Sequence, residues 1–333
     1  MKVAPPPYWL QVVLRVLWPG VAVVLTALAL PVIALGLLLW PVDRRLRLVR
    51  VTFLAIYFIW EDVGAVGQCL WLSARSPRGW SPTWVADHEA IIRDALDNFF
   101  RTARHWVGFR VDVDRTLDLG DEDAPVIVLS RHGGPADSLA LAWLLTSHGG
   151  RVPRIVLAAG LLWDPGIAMV LRRLRAYFVP SRSGAGDDRT KGVTQLARRL
   201  APRDALLIFP EGRNWTVHRQ RAEVARLTEA GETERAERAG RWPWLLPHRP
   251  RGVQTLLTAR PDAGVTVIAH TGLELLDSPL AIWRAIPFDR EQGLRVRSWH
   301  YPPEEVPRDP DAIETWLDER WTQINDWIAS HHR

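Results

Sequence analysis

The residues whose types and spacing best suit chemistry are a histidine and an aspartate. His132 and Asp137 lie in Ser130-Arg131-His132-Gly133-Gly134-Pro135-Ala136-Asp137-Ser138, with four residues between them. The Gly-Gly-Pro of that interval reads as a turn that folds the chain back on itself. A carboxylate on one imidazole nitrogen fixes the tautomer and raises the basicity of the other, which makes a general base without a serine nucleophile. Taken alone, the pair has a plainer reading: Asp137 caps the helix that follows and His132 is a loop histidine. Two further blocks stand downstream, Tyr177-Phe178-Val179-Pro180-Ser181-Arg182 and Leu207-Ile208-Phe209-Pro210-Glu211-Gly212-Arg213-Asn214-Trp215-Thr216. Each begins in a short apolar run, so each is expected at the end of a strand.

In this order and spacing, from Ser130 to about Ile268, the blocks resemble the glycerolipid acyltransferase family, which includes the 1-acyl-sn-glycerol-3-phosphate acyltransferases. The likeness covers somewhat under half the chain. A later stretch, Leu245-Leu246-Pro247-His248-Arg249-Pro250-Arg251-Gly252-Val253, resembles a block of the lysophospholipid acyltransferase branch, which carries an insertion after the third block. Here the insertion is 219–241. The resemblance implies that His132 takes the proton of an acceptor hydroxyl while Asp137 orients the ring. That hydroxyl attacks the thioester of a fatty acyl-CoA or an acyl carrier protein, giving an ester and a free thiol with no acyl-enzyme. Arg182 is implied to hold the acceptor's phosphate. Phe209, Pro210, Glu211 and Gly212 are implied to shape the acceptor site. The family usually has Thr then Arg after Pro-Glu-Gly, whereas this chain has Arg213 and Asn214, so Arg213 is the candidate for that phosphate contact from one position earlier. In the fourth block, Val267-Ile268-Ala269-His270 lacks the usual proline after the strand, and His270 reads as structural.

The implied reaction is transfer to a lysophospholipid, first of all 1-acyl-sn-glycerol-3-phosphate, giving phosphatidic acid. The alternatives are another lysophospholipid, a glycolipid or a polyol as acceptor, and a non-catalytic lipid-binding protein of the same fold. The intact His132 and Asp137 pair argues against the last, since a binding module needs no general base. No cofactor or metal is expected beyond the acyl-CoA or acyl carrier protein co-substrate. Other chemistries lack their signatures. There is no G-x-S-x-G elbow, His88-Glu89 has no second histidine three residues on, and Gly184-Ala185-Gly186 completes neither phosphate-loop pattern. Cys69 is the sole cysteine, which excludes an intrachain disulfide and a multi-thiolate metal site.

The elements that must position these residues are those of an α/β domain, with short β-branched runs between longer amphipathic ones. Residues 126–129, 155–157, 177–179, 206–209, 265–268 and 294–301 read as strands; 137–145, 165–174, 188–200 and 311–329 read as helices. Continuously apolar strands predict a mostly parallel central sheet flanked by helices. The Arg-, Glu- and Ala-rich stretch 219–241 reads as one solvated helix.

Ahead of this domain, which is taken as 76–333, lies a greasy front of residues 1–75. Val16 to Val42 is a run of 27 uncharged residues with Trp18 and Trp40 near its ends, and about 20 apolar residues suffice to span a bilayer. It reads as a membrane-anchoring helix. Pro19, Gly20, Pro31 and Gly36 leave a hairpin within one leaflet as the alternative. Four arginines follow within Asp43 to Arg50, which places the catalytic domain on the cytoplasmic side of the cell membrane. The second apolar stretch, 51–72, contains Glu61-Asp62, a costly pair at a bilayer centre, and is expected at the interface or packed on the first helix, with a true second span as the alternative.

Composition fits a folded, membrane-associated chain. Of 333 residues 47% are hydrophobic, which excludes disorder, and the net charge is +5. Forty of the 42 basic residues are arginine, a side chain suited to phosphate groups and anionic lipid. Nine basic residues against two acidic ones fall between 171 and 203. The expected partners are membrane phospholipid and lysophospholipid with the acyl donor, and no nucleic acid.

Overall fold

The computed structural model describes residues 5–76, 81–134, 136–174, 176–179, 186–274, 276, 278–289 and 293–332. Its helices are α1 (Tyr8–Leu38), α2 (Arg47–Arg75), α3 (Trp84–Val107), α4 (Asp137–Trp143), α5 (Pro165–Arg173), α6 (Gly186–Arg198), α7 (Val217–Glu229), α8 (Thr233–Gly240), α9 (Pro250–Ala259), α10 (Pro279–Ala285) and α11 (Pro310–His331). Its strands are β1 (Val111–Val113), β2 (Val126–Ser130), β3 (Val152–Ala158), β4 (Tyr177–Val179), β5 (Asp204–Ile208), β6 (Gly264–Thr271) and β7 (Leu294–Tyr301). The chain divides into two compact units. The first is Met1–Arg110 with Val156–Ala185 and Trp283–Gln292, and the second is Val111–Ile155 with Gly186–Ile282 and Gly293–Arg333.

The first unit is helical at its front. Among the described residues α1 is the one helix long and apolar enough to cross a membrane. Val16, Leu17, Leu28, Leu30 and Leu38 on it are more than half exposed, a surface that water would penalise and lipid would not. Pro19 and Pro31 sit inside the helix without ending it. The stretch expected at the interface is one continuous helix, α2, and it packs on α1. Trp60 Nε1–H donates to Thr26 Oγ1 at 3.0 Å.

The acidic pair that interrupts the apolar pattern has a structural use. Asp62 is buried, and its two carboxylate oxygens accept from the Gly166 and Ile167 amides at 3.1 and 3.2 Å. These amides are among the unsatisfied donors at the start of α5. Asp164 caps the same turn, accepting from Ile167 N–H at 2.8 Å. At the other end of α5, Arg173 donates to the Cys69 carbonyl at 2.6 Å and meets His88 Nε2 at 2.9 Å. Two of the arginines after α1 are likewise tied down: Arg47 donates to the Ile286 carbonyl at 3.1 Å, and Arg50 to that of Trp106.

The second unit carries most of the sheet, while β4 and the last three residues of β3 belong to the first. The strand order is β1-β7-β6-β2-β5-β3-β4. β2 lies between β5 and β6 and is parallel to both, with Leu129 opposite Ile208 and Ser130 opposite Ile268. β3 pairs in parallel with β5 over Val152–Ile155, and its last three residues pair with β4. β7 departs from the parallel pattern and runs antiparallel to β6. Every residue of β2 and β6 is buried, which accounts for the apolar run Val126 to Leu129 and the mostly apolar sequence of β6. Ile127, Leu129, Val265 and Val267 share one core with Leu256 and Leu257 of α9 and with Leu317, Trp321 and Ile324 of α11. α11 begins where Asp309 accepts from the Asp311 and Ala312 amides, with Pro310 in the first turn.

The stretch expected as one inserted helix is two, α7 and α8. The break falls at Gly231, whose φ of +73° is left-handed and suits glycine. α7 opens with a cap from Thr216, whose side chain accepts from Arg219 N–H at 3.2 Å.

Candidate active site

The site is assembled at the carboxyl ends of the parallel strands, where an open α/β sheet presents its loops. His132 stands two residues beyond the end of β2, Phe209 directly after β5, and His270 near the end of β6. Ser130 Oγ–H donates to the Ile268 carbonyl at 2.9 Å, which locks the end of β2 to β6 just before the histidine.

The turn after β2 does bring the pair together. His132 Nδ1 lies 2.7 Å from Asp137 Oδ2. With its proton on Nδ1, directed at the carboxylate, the ring presents the Nε2 lone pair. Asp137 is wholly buried, and its second oxygen accepts from the Ser138 amide at 2.6 Å while Oδ2 also accepts from Gly134 N–H at 3.3 Å. α4 starts at Asp137 with Ala136 in the N-cap position and no side-chain cap, so the aspartate does not cap the helix and instead holds the imidazole and the amides of Gly134 and Ser138. The His132 ring is stacked on Phe209, with centroids 4.4 Å apart and planes 20° apart.

The third block closes over the same turn. Glu211 is buried, and its Oε2 accepts from His132 N–H at 3.3 Å. Burial pushes the Glu211 carboxyl up to about 8, against the pull of Arg131 and of the His132 and Leu246 amides. Gly212 N–H closes a turn onto the Phe209 carbonyl at 3.0 Å, and the Pro210 carbonyl accepts from Arg249 N–H at 3.0 Å. The later block, Leu245 to Val253, therefore supports the third one directly. Arg213 points elsewhere, pairing with Glu223 of α7 at 2.7 Å. Arg182 lies outside the described residues.

Sequence reasoning passed over Arg131 and Trp215, which the fold adds, and read His270 as structural. Arg131 is wholly buried, and its Nη1 donates to the His270 carbonyl at 3.2 Å. His270 is equally buried, with Nε2 3.1 Å from the Arg131 carbonyl and 3.9 Å from Asp137 Oδ2. Its burial, more than any neighbour, lowers its pKa and keeps it neutral, in keeping with a structural histidine. Trp215 N–H donates to the His132 carbonyl at 2.6 Å. No local pattern marks Arg131 beyond its place beside His132, and none marks Trp215 beyond its place in the third block. Among the described residues no group of three or more His, Cys, Asp or Glu could hold a metal ion. Among the described residues the arrangement is an imidazole held by a buried carboxylate with no partner on its other nitrogen, seated against an aromatic ring and a neutral carboxyl.

Three comparisons bear on this site. A family model described as Acyltransferase matches residues 111–240, a stretch that contains the His132, Asp137 and Glu211 blocks. No curated protein matches the chain. Among solved structures, the 1-acyl-sn-glycerophosphate acyltransferase PlsC of Thermotoga maritima is similar in fold, with a TM-score of 0.52 at 13% identity, covering 83% of this chain and 96% of that one. The family model agrees with the acyltransferase likeness of the blocks over residues 111–240, and the match to PlsC shows a shared fold.

Proposed function

We propose that the chain is a membrane-associated acyltransferase that moves a fatty acyl group from an acyl thioester to the free hydroxyl of a lysophospholipid, with 1-acyl-sn-glycerol-3-phosphate the first candidate acceptor and phosphatidic acid the product. The observation that carries this reading is the His132 to Asp137 contact of 2.7 Å inside the stretch that matches the acyltransferase family model. In the proposed reaction His132 Nε2 takes the proton of the acceptor hydroxyl as its oxygen attacks the thioester carbonyl. Asp137 holds the ring and balances the charge it gains. Collapse of the tetrahedral intermediate breaks the C–S bond, and His132 returns the proton to the departing thiolate. The donor is acyl-CoA or acyl carrier protein. Both substrates carry acyl chains, and leaving a chain in water costs about 0.8 kcal/mol per CH2, which supports a reaction at a membrane. The exposed apolar surface of α1 supports the same seating, with the catalytic domain on the cytoplasmic side.

One observation favours a second acceptor class. Arg213 occupies the place of the family's Thr and is engaged with Glu223, so a lysophospholipid or polyol that lacks a terminal phosphate is the alternative. The test is release of free thiol from oleoyl-CoA by the detergent-solubilised chain, with and without 1-acyl-sn-glycerol-3-phosphate. His132→Ala is expected to lower acceptor-dependent release by at least about a hundredfold while membrane association and unfolding temperature stay unchanged. A folded, active His132→Ala protein would sink the mechanism. Equal turnover of acceptors with and without phosphate would select the alternative.

A further inference from the structure

Behind the His132 and Asp137 pair lies a sealed cluster of charge. Arg131 Nη1 stands 3.7 Å from Glu274 Oε2, and both side chains are essentially unexposed. The guanidinium carbon lies 5.4 Å from the centroid of the Trp215 ring. Glu274 is held by three other donors: the Gly272 amide at 2.9 Å, the Thr271 hydroxyl, and His332 Nε2 at 2.6 Å. His332 is itself fixed by stacking on Trp244, with centroids 4.1 Å apart and planes 8° apart. Burial would raise the Glu274 pKa, but Arg131, Thr271 and His332 together hold it below the ordinary value.

A buried ion pair is a poor source of stability, since lost hydration cancels much of its attraction. Its placement is more informative. Arg131 directly precedes His132, its carbonyl meets the His270 ring, and the tryptophan under its guanidinium donates its own amide to the His132 carbonyl. His132 meets Asp137 at the start of α4 and, through its amide, Glu211 after β5; His270 at the end of β6 lies 3.9 Å from the same Asp137 oxygen, and Arg131, the preceding residue, pairs with Glu274. With Glu211 protonated and His270 neutral, the buried charges are one positive, Arg131, and two negative, Asp137 and Glu274. A neutral His132 leaves this interior with one net negative charge. An imidazolium cancels it.

We propose that Glu274 is a positioning residue for acyl transfer: through Arg131 it fixes the backbone that carries His132, its negative charge favours the imidazolium formed when the acceptor's proton arrives, and His332 holds it in place. This rests on the acyl-transfer reading above for its kinetic consequence, and on the buried cluster alone for its electrostatic one.

The experiment compares wild type with Glu274→Gln, His332→Ala and His332→Gln in the full chain. One readout is thiol release from oleoyl-CoA with 1-acyl-sn-glycerol-3-phosphate across pH. The other is the rate of diethyl pyrocarbonate modification of His132, read by mass spectrometry across pH, which needs no substrate. Glu274→Gln is expected to lower kcat about tenfold with both KM values within about twofold. It should also move the acid limb of the rate profile, and the His132 modification profile, down by about one pH unit. His332→Ala should shift both in the same direction by less, and His332→Gln should restore them. A folded Glu274→Gln protein with wild-type kcat and an unmoved His132 profile overturns the proposal. If wild type releases no acceptor-dependent thiol, the reaction assigned above fails, and the modification profile alone decides the proposal. If Glu274→Gln does not fold, an unmoved profile in His332→Ala overturns it.

Discussion

At neutral pH the Glu211 carboxyl keeps its proton in the folded chain, because burial lifts it from an ordinary 4.5 to about 8. A neutral carboxyl beside His132 does not compete with it as a second base. The same shift has a thermodynamic sign. Between about pH 4.5 and 8 the unfolded chain has lost this proton and the folded chain has not, so stability falls as pH rises through that window and levels off above it. The slope from this one group is at most about 1.4 kcal/mol per pH unit. Glu211→Gln removes it, so the variant's unfolding temperature in detergent should gain on wild type from pH 5 to pH 8. A constant difference across that range would contradict the assignment. Residues close together in sequence, such as His132 and Asp137, were legible because a short turn leaves few ways to arrange them. Glu274 and His332 were not, because their contact joins positions 58 apart that no spacing rule connects. The reach of Arg213 toward α7 was equally hidden, since it depends on where Glu223 falls in an insertion.

α5 is the element on which the first unit's helices converge. Asp62 of α2 binds its first turn and Arg173 ties its last turn to α2 and α3. Burial first, and then the adjacent Asp164 carboxyl, push Asp62 up to about 8, so it serves α5 as a neutral acceptor. Asp62→Asn keeps the shape and a carbonyl oxygen and should cost little. Asp62→Ala strands the Gly166 amide, while Ile167 keeps Asp164 as its acceptor, and should cost about 1–3 kcal/mol, read as a drop in denaturation midpoint together with faster hydrogen exchange at the Gly166 amide. Equal losses in both variants would show that the charge, not the acceptor, matters. The sequence marked Glu61-Asp62 as an anomaly in an apolar run but could not say what resolved it, since Gly166 is 104 residues away. The long strands and helices were readable from periodicity. β1 has three residues and offers no period to read, and the break between α7 and α8 rests on a single glycine inside an otherwise helical composition.

At the scale of the whole chain, the proposed reading requires that a bilayer cover what water now meets on α1. Leu28 lies near the middle of the uncharged run 16–42 and is more than half exposed. Leu28→Arg would place a charge that costs about 2.5–3.5 kcal/mol near a bilayer centre, so the variant should float with phospholipid vesicles at a clearly lower fraction than wild type. Unchanged flotation would remove α1 from the membrane-binding surface. The α/β class and the parallel centre of the sheet were legible from continuously apolar strands. The antiparallel β7 was not, because strand direction leaves no mark on composition. The stacked contact between His132 and Phe209 has a consequence at this scale too. With one nitrogen bound to Asp137 and one ring face against Phe209, the imidazole is held at a single station. It must collect a proton and hand it on from the same spot. In the proposed reaction the acceptor oxygen attacks the thioester directly, so hydroxyl and thioester have to be present together in a ternary complex, and the catalytic cycle has no ping-pong stage in which the acyl group waits on the protein for its acceptor.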